Sequence, residues 1–335
     1  MSRFLPLDLS WSRKGARGFT LVEMLVAIAI VAILGLILAS IADTAGQIFL
    51  QQQGQNQYRM QARAVLNYIG RDLRNASLAA NQAYCVSNGK PTLEFLINAP
   101  NVTYNYPNNI FWQAPIATDG GSWGNMAEVG YFVRWTGGEG DLCRYFVNPS
   151  TTNSQGAIIS NPDYLIYTIP SGQWIPTSGS GTTPNPGSAD AVAPSDNTGN
   201  PPHHYKGLFL QNVLGLWVQA YTAAGVLINT STTPTYNSSG SPYNASTTPV
   251  THSLPAYVVV SIAVLDAPTT QRLKQMSGLA STATTPPTTP AGISTFANYS
   301  NAQAYVTAIQ GTASLASIRS GISAVTLTVN LNNYK

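Results

Sequence analysis

Glu23 is a carboxylate standing where charge is expensive. From Met24 to Ala42 the chain reads MLVAIAIVAILGLILASIA, with no charged residue. About 20 apolar residues at about 1.5 Å each span a hydrocarbon core. An acid at the mouth of such a run needs a compensating partner, and an intramembrane acid is a functional hypothesis by default. The preceding residues offer one. A cut between Gly18 and Phe19 would free an α-amino group at Phe19, four residues before Glu23, and residues at i and i+4 share a helix face. That ammonium could offset the carboxylate within its own helix. From a neighbouring subunit it could do the same and fix the axial register between the two. The small Gly18 and a basic flank of Arg3, Arg13, Lys14 and Arg17 against Asp8 suit a membrane peptidase working at the cytoplasmic face.

The segment Gly18-Phe19-Thr20-Leu21-Val22-Glu23 resembles the prepilin cleavage and methylation motif of type IV pilins and pseudopilins. The resemblance implies that Gly18 precedes the scissile bond, that Phe19 becomes the N-methylated first residue, and that Glu23 is the assembly glutamate. It implies a prepilin peptidase as processing enzyme and other major and minor pilins or pseudopilins as partners. The competing reading is a secretory signal peptide cut after Ser40-Ile41-Ala42, with Asp43 as the new start. The apolar run is long for that, and Glu23 interrupts it. A plain anchor leaves Glu23 unexplained. The positive leader stays in the cytoplasm, which places the remainder outside the inner membrane.

Those residues must be carried by a larger frame. Four of the sixteen basic residues and one of the thirteen acidic ones lie in the leader, so the chain from Phe19 holds twelve of each and is neutral. The composition therefore lacks the basic surplus expected of a nucleic-acid binder. Cys85 and Cys143 are the two cysteines, an even pair consistent with one disulfide in an oxidising periplasm. Beyond the apolar run, Tyr58, Ala62, Val65, Leu66, Ile69, Leu73 and Ala76 recur at helical steps, predicting a stem helix to about Ala80. Arg59, Arg63, Asn67, Arg71 and Arg74 lie opposite, either as a solvated face or as a surface for acidic groups on neighbours or the membrane. Gln47–Gln57, with Gly46 and Gly54, is polar enough to bend or fray.

The remainder reads as β. Thr92–Ile97 alternates weakly. Val129, Tyr131, Val133 and Trp135 alternate with Glu128, Gly130, Phe132 and Arg134, then turn through Gly137–Asp141 into Leu142–Val147. Phe209–Val213, Leu216–Tyr221, Val258–Val264 and Val325–Leu331 follow, with short helices expected in Thr295–Arg319. A long N-terminal helix packed on a mostly antiparallel sheet is an α+β arrangement. The hairpin, then FLQNVLGLWVQAY and LPAYVVVSIAVLD, resembles the type II secretion minor pseudopilin J and the minor pilin W. The expected organisation is a leader (1–18), a transmembrane helix (19–42), a stem (43–80) and a β-rich head (81–335). Inserts rich in Ser, Thr, Pro, Gly and Asn fall at about 175–202, 230–249 and 281–292.

Other chemistry is weaker. Gly120–Gly124 matches G-x-S-x-G around Ser122, with Asp163 and His252 following, but Pro115 and Thr118-Asp119 stand where the elbow needs a strand. His203-His204 lacks companions at ligand spacing, so no metal site is expected. By the pseudopilin resemblance Asp190, Asp196 and Asn197 could hold calcium, but without a D-x-D-x-D-G spacing. The resemblance implies a non-enzymatic subunit without a cofactor, joining a filament tip and contacting exported protein substrate.

Overall fold

A computed structural model describes residues 20–78, 93–99, 106–117, 124–152, 208–229, 253–280 and 292–331, with short pieces at 102, 155, 157–160, 164, 175, 236–238, 283, 285–288 and 290. The chain divides into two compact units, Met1–Gln53 and Gly54–Lys335.

Helix α1, Leu21–Arg74, runs for 54 residues. In the first unit it is built from Leu, Ile, Val and Ala, and Leu21–Gly46 is long and apolar enough to cross a membrane. The polar stretch 47–57, read as able to bend or fray, is helical throughout. The helix stops at Arg74, short of the expected Ala80. Asn75 N–H donates to Asp72 O and Ala76 N–H to Leu73 O, the i→i+3 bonds that tighten a last turn, while Asn75 Nδ2 donates to the Arg71 carbonyl. Ser77 N–H then donates to Gln113 O, so the chain leaves the helix by joining a strand.

In the second unit the stem follows the predicted periodicity. Ala62, Leu66, Ile69 and Leu73 are buried, and Arg59, Arg63, Asn67, Arg71 and Arg74 are exposed. The buried stripe shares one core with a six-stranded antiparallel sheet. Its strands are β1 (Phe95–Ile97), β2 (Ile110–Ala114), β3 (Ala127–Thr136), β4 (Glu139–Val147), β7 (Leu208–Leu210) and β9 (Tyr236–Asn237), in the order β7-β4-β3-β2-β1-β9. The β3–β4 turn is tighter than expected. Only Gly137 and Gly138 lie between the strands, at φ +58° and +81°, the left-handed pair that a two-residue hairpin requires. Glu139, Gly140 and Asp141 are therefore strand residues. β9 lies inside the segment 230–249 expected as an insert, with Tyr236 buried and β-paired to Ile97.

Both faces of this sheet are covered. Phe95, Trp112, Val129, Tyr131, Val133 and Phe146 face the shared core, while Leu96, Phe111, Phe132, Cys143, Tyr145 and Val147 form a second apolar cluster with Ile175. That explains why Phe132 interrupts the polar half of the alternation. A strand buried on both faces has no need of a polar one. β5 (Ser150–Thr152) and β6 (Ile158–Ser160) form a separate hairpin.

The second main sheet has three antiparallel strands in the order β11-β10-β8: β8 (Val213–Tyr221), β10 (Tyr257–Leu265) and β11 (Ile322–Asn330). The outer edge of β8 is sealed. Leu216 N–H donates to Tyr106 O and Asn108 N–H to Leu216 O. Val218 N–H donates to Asn108 Oδ1 at 2.9 Å, and Ala220 N–H to Asn229 Oδ1 at 2.8 Å. Asn229 Nδ2 returns a bond to Val218 O at 2.9 Å. Two asparagine side chains thus complete a strand edge that, among the described residues, has only an isolated bridge from Pro107 to Leu216.

Helix α2, Ala267–Ser277, follows β10, and α3, Ala302–Gly311, lies in the alanine-rich stretch where short helices are expected. The Asp266 carboxylate accepts from Thr269 N–H at 2.8 Å to cap α2, and Gly278 ends it at φ +59°. Asn301 caps α3 in the same way through Ala304 N–H.

Candidate processing and assembly site

The apolar helix begins at a reciprocal cap. Thr20 N–H donates to Glu23 Oε2 at 2.9 Å and the Thr20 hydroxyl donates to the same oxygen at 3.0 Å, while Glu23 N–H lies 3.3 Å from Thr20 Oγ1 as donor. Thr20 is the N-cap and Glu23 the third helical residue, the S/T-x-x-E capping box. The exposed Glu23 carboxylate is thus held at the positive end of the helix dipole by its own chain. This second duty of Glu23 was visible in the spacing Thr20-x-x-Glu23 and is absent from the charge argument above. Gly18 and Phe19 lie outside the described residues, so the proposed scissile bond has no geometry here.

Residues 13–39 match the family model described as the prokaryotic N-terminal methylation motif. The chain carries this methylation motif. The matched residues include Gly18, Phe19 and Glu23 and extend into the apolar helix. The match supports a type IV pilin-like reading and membrane anchoring through α1. Comparison with curated proteins finds no match.

A second cluster joins the stem to the sheet. Asp72 on α1 is buried. Its Oδ2 accepts from Arg144 Nη2 at 2.9 Å, from Arg144 Nε at 3.1 Å and from the Tyr131 hydroxyl at 2.7 Å. The Arg144 guanidinium also lies 4.1 Å from the Phe146 ring centre and 5.2 Å from that of Tyr68. Burial, and then the neighbouring Asp72 charge, push the Tyr131 hydroxyl well above its usual range, so it stays a donor. This constellation fastens the stem to β3 and β4. Sequence reading missed it because Asp72 and Arg144 stand 72 residues apart and each fits an ordinary solvated position.

Cys143 is a buried thiol in the second apolar cluster, and burial followed by the Asp141 charge pushes its ionisation up. Its expected partner Cys85 lies outside the described residues. So do Ser122, Asp163, His203, His204, Asp190, Asp196, Asn197 and His252. Among the described residues no group of three or more His, Cys, Asp or Glu is placed to hold a metal ion.

Proposed function

We propose that this chain is a minor pseudopilin: a non-enzymatic assembly subunit of a type II secretion pseudopilus, acting in the tip or priming complex. A prepilin peptidase cuts between Gly18 and Phe19 and methylates the new Phe19 amine. The Leu21–Gly46 helix holds the subunit in the inner membrane with its head in the periplasm, and Glu23 sets register against the amine of a neighbour. The observation that carries this reading is the methylation motif at residues 13–39, with Glu23 just before the uncharged stretch Met24–Ala42 of α1. The β-rich α+β head and the β3–β4 hairpin support it.

The capping box adds a physical step. Before assembly Glu23 is satisfied locally by Thr20, so the neighbour's ammonium exchanges with hydrogen bonds rather than rescuing a bare charge. Mass spectrometry of the mature N-terminus from native membranes tests the proposal. N-methyl-Phe19 is expected, and a start at Asp43 would overturn it. A minor pilin of a type IV pilus shares every feature named here. Deleting the gene separates the two, since loss of protein export with intact pili supports the pseudopilus.

A further inference from the structure

Asp141 joins the two main sheets. Its carboxylate accepts from the N–H of Asn212, the left-handed residue (φ +61°) at the corner between β7 and β8. The Asn212 carbonyl in turn accepts from Leu265 N–H of β10 at 2.9 Å, one residue before the Asp266 cap of α2. The β3–β4 turn closes the same joint from the other side. Gly137 N–H donates to Ala283 O at 2.8 Å, and a Cβ built at Gly138 would lie 3.6 Å from Ser277 Oγ and 3.7 Å from both Leu279 Cδ1 and Lys274 Cγ. The turn thus lies flat on the end of α2, where Lys274 Nζ pairs with Glu139.

Two carboxylates share this joint, and its lysine already serves the outer one. The Glu139 and Lys274 side chains are each 31% exposed, whereas Asp141 is 7% exposed. Residues two apart on a strand share a face, so Glu139, Asp141 and Cys143 point the same way. Arg134 of β3 stands opposite Asp141 in the ladder. Among the described residues, Glu139 and Cys143 on β4, Arg134 on β3 and Lys274 on α2 are the titratable or charged groups that act on Asp141, together with the Asn212 backbone at the β7–β8 corner. Burial, and then the Glu139 charge, outweigh the two cations and push the carboxyl up to about 7. We propose that the β3–β4 turn, the Asn212 corner and α2 form a proton-operated latch, closed while Asp141 is neutral and loosened when it ionises. An ionised carboxylate gains by reaching water, and lifting the half-exposed turn off α2 wets it at less cost than unfolding the sheets. The folded value lies above the unfolded one, so the latch is fully held in acid and weakens as pH rises through the window from about 4 to 7.

Amide hydrogen exchange of the full-length protein in detergent, read by mass spectrometry at about pH 4 and about pH 8 beside Asp141→Asn at the same pH, tests this. Matching the pH cancels the intrinsic chemistry of exchange. Asparagine keeps an acceptor for Asn212 N–H in a side chain that does not ionise. At the higher pH, peptides over Thr136–Leu142 and Lys274–Leu279 should exchange about tenfold or more faster in the unsubstituted protein than in the variant, with β10 and β11 unchanged. At the lower pH the two proteins should agree within about twofold. Equal exchange at both pH values overturns the proposal. So does an acceleration spread equally over β10 and β11, which reports loss of the whole fold. Glu139→Gln removes the like charge and frees Lys274 for Asp141, so it should shrink the step between the two pH values, and an unchanged step also overturns the proposal. None of these readings depends on processing or assembly, so the pseudopilin reading stands or falls apart from them.

Discussion

Arg144 Nη2 on β4 lies 2.9 Å from Asp72 Oδ2 on the stem helix, with side-chain exposures of 17% and 4%. Tyr131 completes the group by donating to the same carboxylate oxygen. Removing one partner of a mostly buried pair strands the other, whereas removing both can be nearly neutral. Asp72→Ala should therefore destabilise the protein by about 3 kcal/mol. The double variant with Arg144→Leu should recover at least half of that loss. Thermal melting of the four members of the cycle measures the coupling, and additive effects would dissolve the claim that the pair acts as a unit.

The observed cap at Glu23 and its proposed role in register are separated by different substitutions. Glu23→Gln keeps an acceptor for Thr20, because Gln also completes a capping box, but removes the charge. Glu23→Val removes both. If charge sets the register, Gln and Val should each abolish incorporation into the tip complex, as read by co-purification from native membranes. Full incorporation of Glu23→Gln would leave only the cap.

Asp141 gives the head a pH dependence. Burial, then repulsion from Glu139, push its carboxyl up to about 7, against the opposing pull of Arg134, Lys274 and the Asn212 backbone N–H. The folded value lies above the unfolded one, so the native state holds an extra proton between about pH 4 and 7. Stability is fully retained below that window and falls as pH rises through it. Asp141→Asn should stabilise the protein at pH 8 by on the order of 2 to 4 kcal/mol and change little at pH 4. Melting temperatures at the two pH values check the crossover, and an equal shift at both would refute it.

Gly70 sets how closely the stem meets β11. A Cβ built there would lie 2.7 Å from Leu327 Cδ2 and 3.3 Å from Val329 Cγ2. Alanine gains helix propensity while crowding a movable Leu327 methyl, so Gly70→Ala should lower stability by only about 1 kcal/mol. Gly70→Leu has no such escape and should cost about 3 kcal/mol by overpacking. Denaturant midpoints for the two variants test the difference.

What could be read in the sequence follows from how local each signal is. The stem periodicity, the β10 and β11 alternations and the apolar helix were legible because one face or one solvent decides every residue in them. β2, with the sequence IFWQA, is too short and too uniformly buried to show a period, and it went unread. α2 was announced by Asp266 before Pro268 and by Gly278 at its end, local signals that the β10 pattern overshadowed. The Asp72–Arg144 pair has no local signature, and neither does the sealing of β8 by Asn108 and Asn229. In both cases the partners are set by how sheets and helix stack.

That seal on β8 sets a direction. A sheet with two open edges is a monomer for unlimited polymerisation, since every added strand presents a fresh edge on either side. Among the described residues Asn108 and Asn229 act as chain terminators on one flank, so any strand added to this sheet would have to join on the β11 side.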